Sequence, residues 1–122
     1  MSQSNTQRNL ALWKRVCDER DLVRNSGVVV WADGVQVALF YLPGADAQTL
    51  YAIDNHDPES GANVIGRGLV ASIKGELVVA APIYKQHYRL RDGQCLEAPH
   101  QHLRVWPVRL KGGVVELAMD RM

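Results

Sequence analysis

The amino-acid sequence predicts an all-β domain, an antiparallel sandwich or barrel built from several hairpins. Short segments rich in β-branched and aromatic residues recur along the chain. Turns that contain glycine separate most of these segments, and little of the sequence has the apolar spacing of a long amphipathic helix. Together these observations predict a single β domain.

The chain begins with a polar segment. Residues 1–9 show no apolar pattern and are predicted to form a flexible tail, so we expect the folded domain to cover residues 10–122. The first element is expected at residues 13–17, where Trp13 and Val16 are predicted to be buried. We interpret this segment as a short strand, and a helical turn is the alternative.

The strongest β signal follows. Residues 27–31 (GVVVW) and 35–42 (VQVALFYL) flank Ala32-Asp33-Gly34, where glycine accepts the positive φ that a tight turn needs. Pro43-Gly44 ends the second segment, because proline cannot donate a hydrogen bond to a strand ladder. The pattern predicts a β-hairpin.

A short strand is predicted at residues 50–53, and the pattern of two apolar segments around a glycine turn recurs after it. Three further pairs of segments flank glycine turns: 68–73 and 77–80 around Lys74-Gly75, 88–91 and 94–96 around Asp92-Gly93, and 103–110 and 114–119 around Gly112-Gly113. We therefore expect four or five hairpins in one domain.

Composition indicates a globular protein. The chain has 122 residues, enough for one domain, with 47% hydrophobic and 22% charged residues. The formal net charge is +1 and the basic residues are scattered, so we expect no nucleic-acid partner. No apolar run approaches the ~20 residues that cross a bilayer, so we expect no membrane association.

Two features bear on the cellular compartment. The first residues, MSQSNTQRN, lack the apolar stretch of a secretory signal peptide, and we expect a cytoplasmic location. Cys17 and Cys95 lie far apart in the sequence, which does not suggest a disulfide framework. Both are expected to be reduced and partly buried.

Two segments do not fit a simple series of hairpins. They are residues 54–67 (DNHDPESGANVIGR) and residues 80–87 (AAPIYKQH). Each follows an apolar strand and carries a proline near its start. Loops of this kind on a rigid scaffold often carry function.

The sequence around these two segments resembles that of Rieske iron–sulfur domains. In those domains a Cys-x-His loop and a Cys-x-x-His loop hold a two-iron, two-sulfur cluster through two thiolates and two imidazoles. Here Ala52-Ile53-Asp54-Asn55 leads into Asp57-Pro58-Glu59, where Cys-Pro-His is usual. Val78-Val79-Ala80 leads into Ala81-Pro82-Ile83-Tyr84, where Cys-Pro-x-His is usual.

By this resemblance all four ligand positions are changed. Asp57 and Ala81 stand at the cysteine positions, and Glu59 and Tyr84 stand at the histidine positions. Because alanine has no side-chain atom that ligates iron, we expect no cluster and no metal in this chain.

A Rieske-like sequence without its ligands is similar to the small subunits of assimilatory NAD(P)H-dependent nitrite reductase. Members of that group carry a DP-x-S-GANV segment followed by SRG, a P-x-YKQH segment, and a Tyr-Pro-Val-Arg segment near the end. The corresponding residues here are 57–64 (DPESGANV), 66–68 (GRG), 82–87 (PIYKQH) and 106–109 (WPVR), and the similarity spans roughly residues 13–117. The departures at Glu59 and Gly66 bear on the local shape of the loop.

The resemblance implies a role in an enzyme complex. The large subunit of that enzyme carries a flavin (FAD), a 4Fe-4S cluster and sirohaem, takes electrons from a nicotinamide cofactor and reduces nitrite to ammonium in nitrate and nitrite assimilation. The present chain is then expected to have that large subunit as its partner, to support it through protein–protein contacts, and to carry no cofactor or catalytic residue of its own.

The second of the two segments also suggests a docking patch. Lys85, Gln86 and His87 are predicted to contact the partner, beside an aromatic anchor. The alternative is structural: Tyr84 and Tyr88 fill the space that a cluster would occupy. We favour this structural role for Tyr84, whose hydroxyl would reach a backbone group of the loop.

Other candidate sites have plainer explanations. Asp54, Asp57 and Glu59 supply oxygen ligands of the kind that Ca²⁺ prefers, but the spacing of a calcium loop is absent. A solvated acidic loop is favoured, or a turn in which Asp54 accepts backbone N–H bonds. His100 and His102 lie two residues apart, but no further zinc ligands are suitably spaced, and exposed surface histidines are favoured.

Two other functions remain as alternatives to a cluster-free subunit. One is a Rieske-type electron carrier that binds metal in an altered way, and the other is an unrelated binding module on the same barrel. The sequence contains no nucleophile elbow, glycine-rich phosphate loop, Cys-x-x-Cys pair or His-Glu-x-x-His motif.

Overall fold

The computed structural model describes residues 12–44 and 48–119, and this part of the chain forms ten strands and two short 3₁₀ helices. The strands are β1 (Leu12–Asp18), β2 (Ser26–Ala32), β3 (Val35–Tyr41), β4 (Leu50–Asp54), β5 (Leu69–Ile73), β6 (Glu76–Ala80), β7 (His87–Arg89), β8 (Val105–Trp106), β9 (Val108–Lys111) and β10 (Val114–Met119). The 3₁₀ helices cover Glu19–Asp21 and Ile65–Arg67. The predicted tail at residues 1–9 lies outside the described residues. Over the described ranges, no helix has the length and apolar character needed to cross a membrane.

The strands form three antiparallel sheets, which confirms the predicted all-β class. Their orders are β1-β10-β9, β2-β3-β4-β8 and β5-β6-β7. The first strand, predicted at residues 13–17, is β1, and it pairs with β10 near the other end of the chain.

The glycine turns are where the sequence predicts them. Asp33 and Gly34 join β2 to β3 with φ values of 51° and 82°. Lys74 and Gly75 join β5 to β6 with nearly the same values, 51° and 83°. These left-handed conformations match the right-handed twist of the flanking strands, which is why two-residue hairpin turns adopt them.

Two predicted segments differ from the structure. The segment at residues 103–110 is divided at Pro107 into β8 and β9, which belong to different sheets. Proline has no N–H for a ladder, so the strand breaks there and the chain crosses between sheets. The segment at residues 94–96 is an irregular connection, paired only through isolated bridges such as that of Cys95 with Tyr88.

The core lies on both faces of the middle sheet. Side chains alternate along a strand, and in β3 Ala38 and Phe40 enter one apolar cluster while Val37 and Leu39 enter the other. The first cluster also contains Val79, Ala81 and Tyr88 and lies against the β5-β6-β7 sheet, whereas the second contains Val115 and Leu117 of β10. The loop that follows β4 thus projects from the middle sheet, and the loop that follows β6 projects from the neighbouring β5-β6-β7 sheet.

Candidate functional site

The two segments singled out in the sequence lie at one site. Loop 1 is defined as residues 55–64, after β4, and loop 2 as residues 81–86, between β6 and β7. The connection formed by residues 94–102 lies between them. Gln101 Nε2 donates to Glu59 Oε1 of loop 1 at 2.9 Å, and the Leu96 N–H donates at 2.8 Å to the carbonyl of His87, the residue that directly follows loop 2.

Asn55 fixes the base of loop 1. Its side chain is buried, with Nδ2 donating to Gln36 Oε1 at 2.9 Å and to the Asn63 carbonyl at 3.1 Å. Its Oδ1 accepts the Gly66 N–H at 2.6 Å. The amide therefore ties the start of loop 1 to its end and to β3, as a buried polar group must find partners.

Asp57 shapes the turn of loop 1. The residue is fully buried, and its carboxylate accepts the Glu59 N–H at 3.0 Å and the Ser60 hydroxyl at 2.9 Å. The backbone closes the same turn, because the Asp57 N–H donates to the Ala62 carbonyl at 2.8 Å and the Gly61 N–H donates to the Asp57 carbonyl at 2.8 Å. Both carboxylate oxygens are engaged inside the loop, as in an Asx turn.

Loop 2 is a compact reversal that begins at a buried residue. Ala81 has no exposed surface, its N–H donates to the Gln86 carbonyl at 2.8 Å, and its carbonyl accepts the Lys85 N–H at 2.9 Å. Lys85 completes the reversal with a φ of 65°, a left-handed conformation that few residues other than glycine adopt. Ile83 and Tyr84 lie at the tip, 49% and 61% exposed.

The residues at the four ligand positions do not fit a two-iron, two-sulfur cluster. Ala81 offers no ligating atom, and the carboxylate of Asp57 is occupied by hydrogen bonds within loop 1. Glu59 accepts a hydrogen bond from Gln101, and the side chain of Tyr84 lies at the surface. Within residues 12–44 and 48–119, no group of three or more His, Cys, Asp or Glu side chains is placed to hold a metal ion.

Tyr88, and not Tyr84, occupies the interior of the site. Tyr84, which was predicted to fill the space that a cluster would occupy, instead has a largely exposed side chain at the tip of loop 2. Tyr88 is fully buried, and its hydroxyl lies 3.5 Å from Gln101 Oε1. Burial raises the pKa of Tyr88, and the nearby carboxyl groups of Asp57, Glu59 and Glu97 raise that pKa further.

The three residues predicted to contact a partner have different surroundings. Lys85 is exposed, whereas both amide atoms of Gln86 are buried and have no hydrogen-bond partner among the described residues. His87 is half-buried and its Nδ1 lies 2.6 Å from Glu97 Oε2, while its N–H donates to Glu97 Oε1 at 2.8 Å. Burial acts to raise the pKa of Glu97, but these hydrogen bonds from His87 outweigh it and lower the pKa.

The other candidates from the sequence do not converge on a site. Asp54 accepts a hydrogen bond from Trp106 Nε1 at 3.1 Å. The interpretation as a solvated acidic loop is wrong for Asp57, which is fully buried and hydrogen-bonded within loop 1. His100 and His102 are both exposed, in line with their interpretation as surface residues. Cys17 and Cys95 are free thiols, one half-buried and the other buried.

Sequence reasoning missed three residues that hold the site together. Asn55 was identified only as one of the residues that lead into loop 1. An Asn directly after an apolar strand nevertheless indicates a side chain that can hold a loop by hydrogen bonds to its backbone. Glu97 and Gln101 lie in the irregular connection of residues 94–102. No local pattern marks them, because their partners are 10 and 42 residues away.

Comparisons with known proteins agree with this architecture. The family described as the Rieske-like 2Fe-2S domain matches residues 12–118. The nitrite reductase (NADH) small subunit of Salmonella typhimurium is 39% identical over 108 residues, which cover 88% of this chain and 98% of that protein. The NMR structure of the Escherichia coli protein NirD has a TM-score of 0.81 and 37% identity, and the match covers 92% of this chain and 100% of that one.

A third relative is a much longer protein. The nitrite reductase NAD(P)H large subunit of Klebsiella oxytoca is 38% identical to this chain over 103 residues. The matching region covers 84% of this chain but only 10% of that large subunit. A domain similar to this one is therefore part of the large polypeptide in that species.

Proposed function

This chain belongs to the Rieske-like 2Fe-2S family and, within it, to the nitrite reductase (NADH) small subunits, and we propose that it is a non-catalytic subunit without a cluster of its own. In this proposal it acts in the cytoplasm, in the reduction of nitrite to ammonium during nitrate and nitrite assimilation. The catalytic cofactors, FAD, a 4Fe-4S cluster and sirohaem, belong to the large subunit.

The observation that carries the proposal is the chemistry of the four ligand positions. The two buried positions hold Asp57, whose oxygens are both hydrogen-bonded within loop 1, and Ala81, which has no ligating group. A Rieske cluster needs two thiolates on one iron and two imidazoles on the other. Since none of the four residues is Cys or His, no electron-transfer step is assigned to this chain.

The partner is inferred from the relatives. In Klebsiella oxytoca a region similar to this chain lies within the large subunit itself. A domain that is joined covalently to a protein in one species commonly binds the corresponding separate protein in another. This supports a stable contact between the present chain and a large subunit.

The experiment has two measurements. The chain is purified anaerobically, alone and after co-expression with a tagged large subunit, and its iron content and visible spectrum are recorded beside a Rieske-type ferredoxin prepared in the same way. We expect a colourless, iron-free chain that co-purifies with the large subunit. Stoichiometric iron with a visible spectrum would instead favour an electron carrier, and failure to co-purify would contradict the role as a subunit.

A further inference from the structure

Loop 2 presents an apolar tip at the surface. Ile83 and Tyr84 are adjacent and about half or more exposed, and Lys85 next to them is also exposed. Leu96 adds apolar surface nearby, being 37% exposed and bonded through its N–H to the His87 carbonyl just beyond the loop. An exposed aromatic flanked by apolar and cationic side chains is the composition typical of an interface anchor.

The backbone of loop 2 holds this tip in a defined shape. Two hydrogen bonds join Ala81 to Lys85 and to Gln86, and Ala81 itself is buried against the core. The left-handed conformation of Lys85 is unfavourable for a residue with a β-carbon, so the surrounding bonds must hold it in place. The exposed side chains are therefore presented on a preorganised loop, which reduces the entropy lost on binding.

Gln86 supplies a second, independent observation. Its Nε2 and Oε1 are buried, and neither has a hydrogen-bond partner in the described part of the chain. Buried polar atoms of native proteins almost always find partners, so a pair without any marks a place where a further group is expected. By contrast, the buried side chains of Asn55 and Asp57 in the adjoining loop have partners within the chain.

We propose that the tip of loop 2, residues 83–85, is the surface that docks on the large subunit, with Tyr84 as the anchor. The recess that receives it is apolar and carries a carboxylate facing Lys85. The amide of Gln86, which is buried in the free chain, turns outward on docking and meets donor and acceptor groups of the recess. This inference rests on the proposed function, because the relative in Klebsiella oxytoca is what identifies a large subunit as the occupant.

A second exposed aromatic provides the competing surface and the matched control. Trp31 is 65% exposed on β2, an edge strand of the middle sheet, and Val29 on the same strand is 45% exposed. Trp31 is thus as accessible as Tyr84, but no buried unpaired amide lies in its strand among the described residues. The two aromatics allow the docking surface to be assigned by single substitutions.

The test measures the affinity of each variant for the purified, cofactor-loaded large subunit. Tyr84→Ala is expected to weaken binding about 30-fold or more, the effect of removing an interface anchor, whereas Trp31→Ala changes the affinity by about 2-fold or less. Both variants should keep the melting temperature of the free chain nearly unchanged, because both side chains are exposed. A large loss of affinity for Trp31→Ala with none for Tyr84→Ala would overturn the assignment in favour of the β2 edge.

Gln86→Leu separates docking from folding. Removing an amide that lacks partners should raise the melting temperature of the free chain, while binding weakens about 10-fold because the hydrogen bonds made on docking are lost. Unchanged affinity would exclude Gln86 from the contact. If the wild-type chain does not bind the large subunit, the proposed function itself fails; if it binds and Tyr84→Ala binds equally well, only the docking surface is wrong.

Discussion

Single buried polar side chains give the two loops different properties. In loop 1 the amide of Asn55 and the carboxylate of Asp57 make hydrogen bonds to Gly66, Glu59 and Ser60, so the loop is held from within. In loop 2 the amide of Gln86 has no such partners among the described residues. Loop 1 is therefore held by its own hydrogen bonds, whereas loop 2 carries the side chains that we propose to meet the large subunit.

The thiol of Cys17 is predicted to be unreactive although it is only half-buried. Burial raises its pKa to about 11, with the negative charges of Asp21 and Asp18 as further causes. Because the thiolate is the nucleophile, alkylation of Cys17 near pH 8 should be about 100-fold slower than that of an ordinary thiol with a pKa near 9. Its rate should still be rising with pH above 9.

The measurement is alkylation by iodoacetamide, followed at Cys17 by peptide mass spectrometry over a range of pH. Asp21→Asn removes one of the nearby negative charges and should increase the rate at pH 8. Asp33→Asn, which changes a carboxylate not among the causes of the shift, is the matched control. A rate at pH 8 equal to that of a free cysteine peptide would contradict the prediction.

Local sequence explains why one tyrosine of the site was placed correctly and the other was not. Tyr88 lies in β7, where the strand alternation turns it inward between the half-buried His87 and Arg89. Tyr84 precedes the strand, and its direction depends on the reversal at Lys85. A left-handed lysine has no signature of the kind that glycine provides, so the exposure of Tyr84 could not be derived from the sequence.

At the scale of elements, the positions of the turns could be predicted from the sequence, but the sheet to which each strand belongs could not. The hairpins follow from residues that favour positive φ, such as Gly34 and Gly75, because these act within the turn itself. The apolar run that contains β8 and β9 looked continuous, and Pro107 alone did not reveal that the two strands join different sheets. That crossing depends on partners far along the chain, since β8 pairs with β4 and β9 with β10.

The contact between β2 and the second 3₁₀ helix leaves no room for a side chain at Gly27. A β-carbon there would lie 2.5 Å from the Gly66 carbonyl oxygen and 2.8 Å from the Phe40 ring. We therefore expect Gly27→Ala to lower the free energy of unfolding by about 1–3 kcal/mol, the usual effect of overpacking. To make room for the added methyl group, the backbone at Gly66 would have to move. Because the Gly66 N–H donates to the side chain of Asn55, this movement would also disturb loop 1.

Urea denaturation of the purified variants measures this effect. Gly44→Ala is the control, because a β-carbon at Gly44 meets no atom of the described residues within 4 Å and its φ is not in the left-handed region. The control should change the free energy of unfolding by at most about 0.5 kcal/mol, as expected for a surface position. Equal free energies of unfolding for Gly27→Ala and the wild type would contradict the prediction. They would show that β2 and the second 3₁₀ helix can move apart with no loss of stability.

At the scale of the whole molecule, the fold depends on pairing between the two ends of the described chain. Strand β1 pairs with β10, and β10 is the central strand of its sheet, with β9 on its other side. The sequence predicted these strands one by one, but their pairing spans about a hundred residues and no local pattern encodes it. The β1-β10-β9 sheet packs against one face of the middle sheet, and without it that face would be exposed to solvent.

Removal of β10 should therefore abolish folding, whereas removal of the N-terminal residues should not. Val115 and Leu117 are fully buried, and their transfer from water alone contributes about 3–6 kcal/mol, comparable with the whole stability of a small domain. A chain that ends at Gly113 is expected to aggregate or to unfold without a cooperative transition when followed by circular dichroism.

A chain that begins at residue 10 tests the predicted tail and should keep the unfolding midpoint of the full-length protein. A cooperative transition in the chain that lacks β10 would mean that the other two sheets form a folding unit by themselves, and a lowered midpoint in the chain that begins at residue 10 would mean that residues 1–9 contribute to the fold.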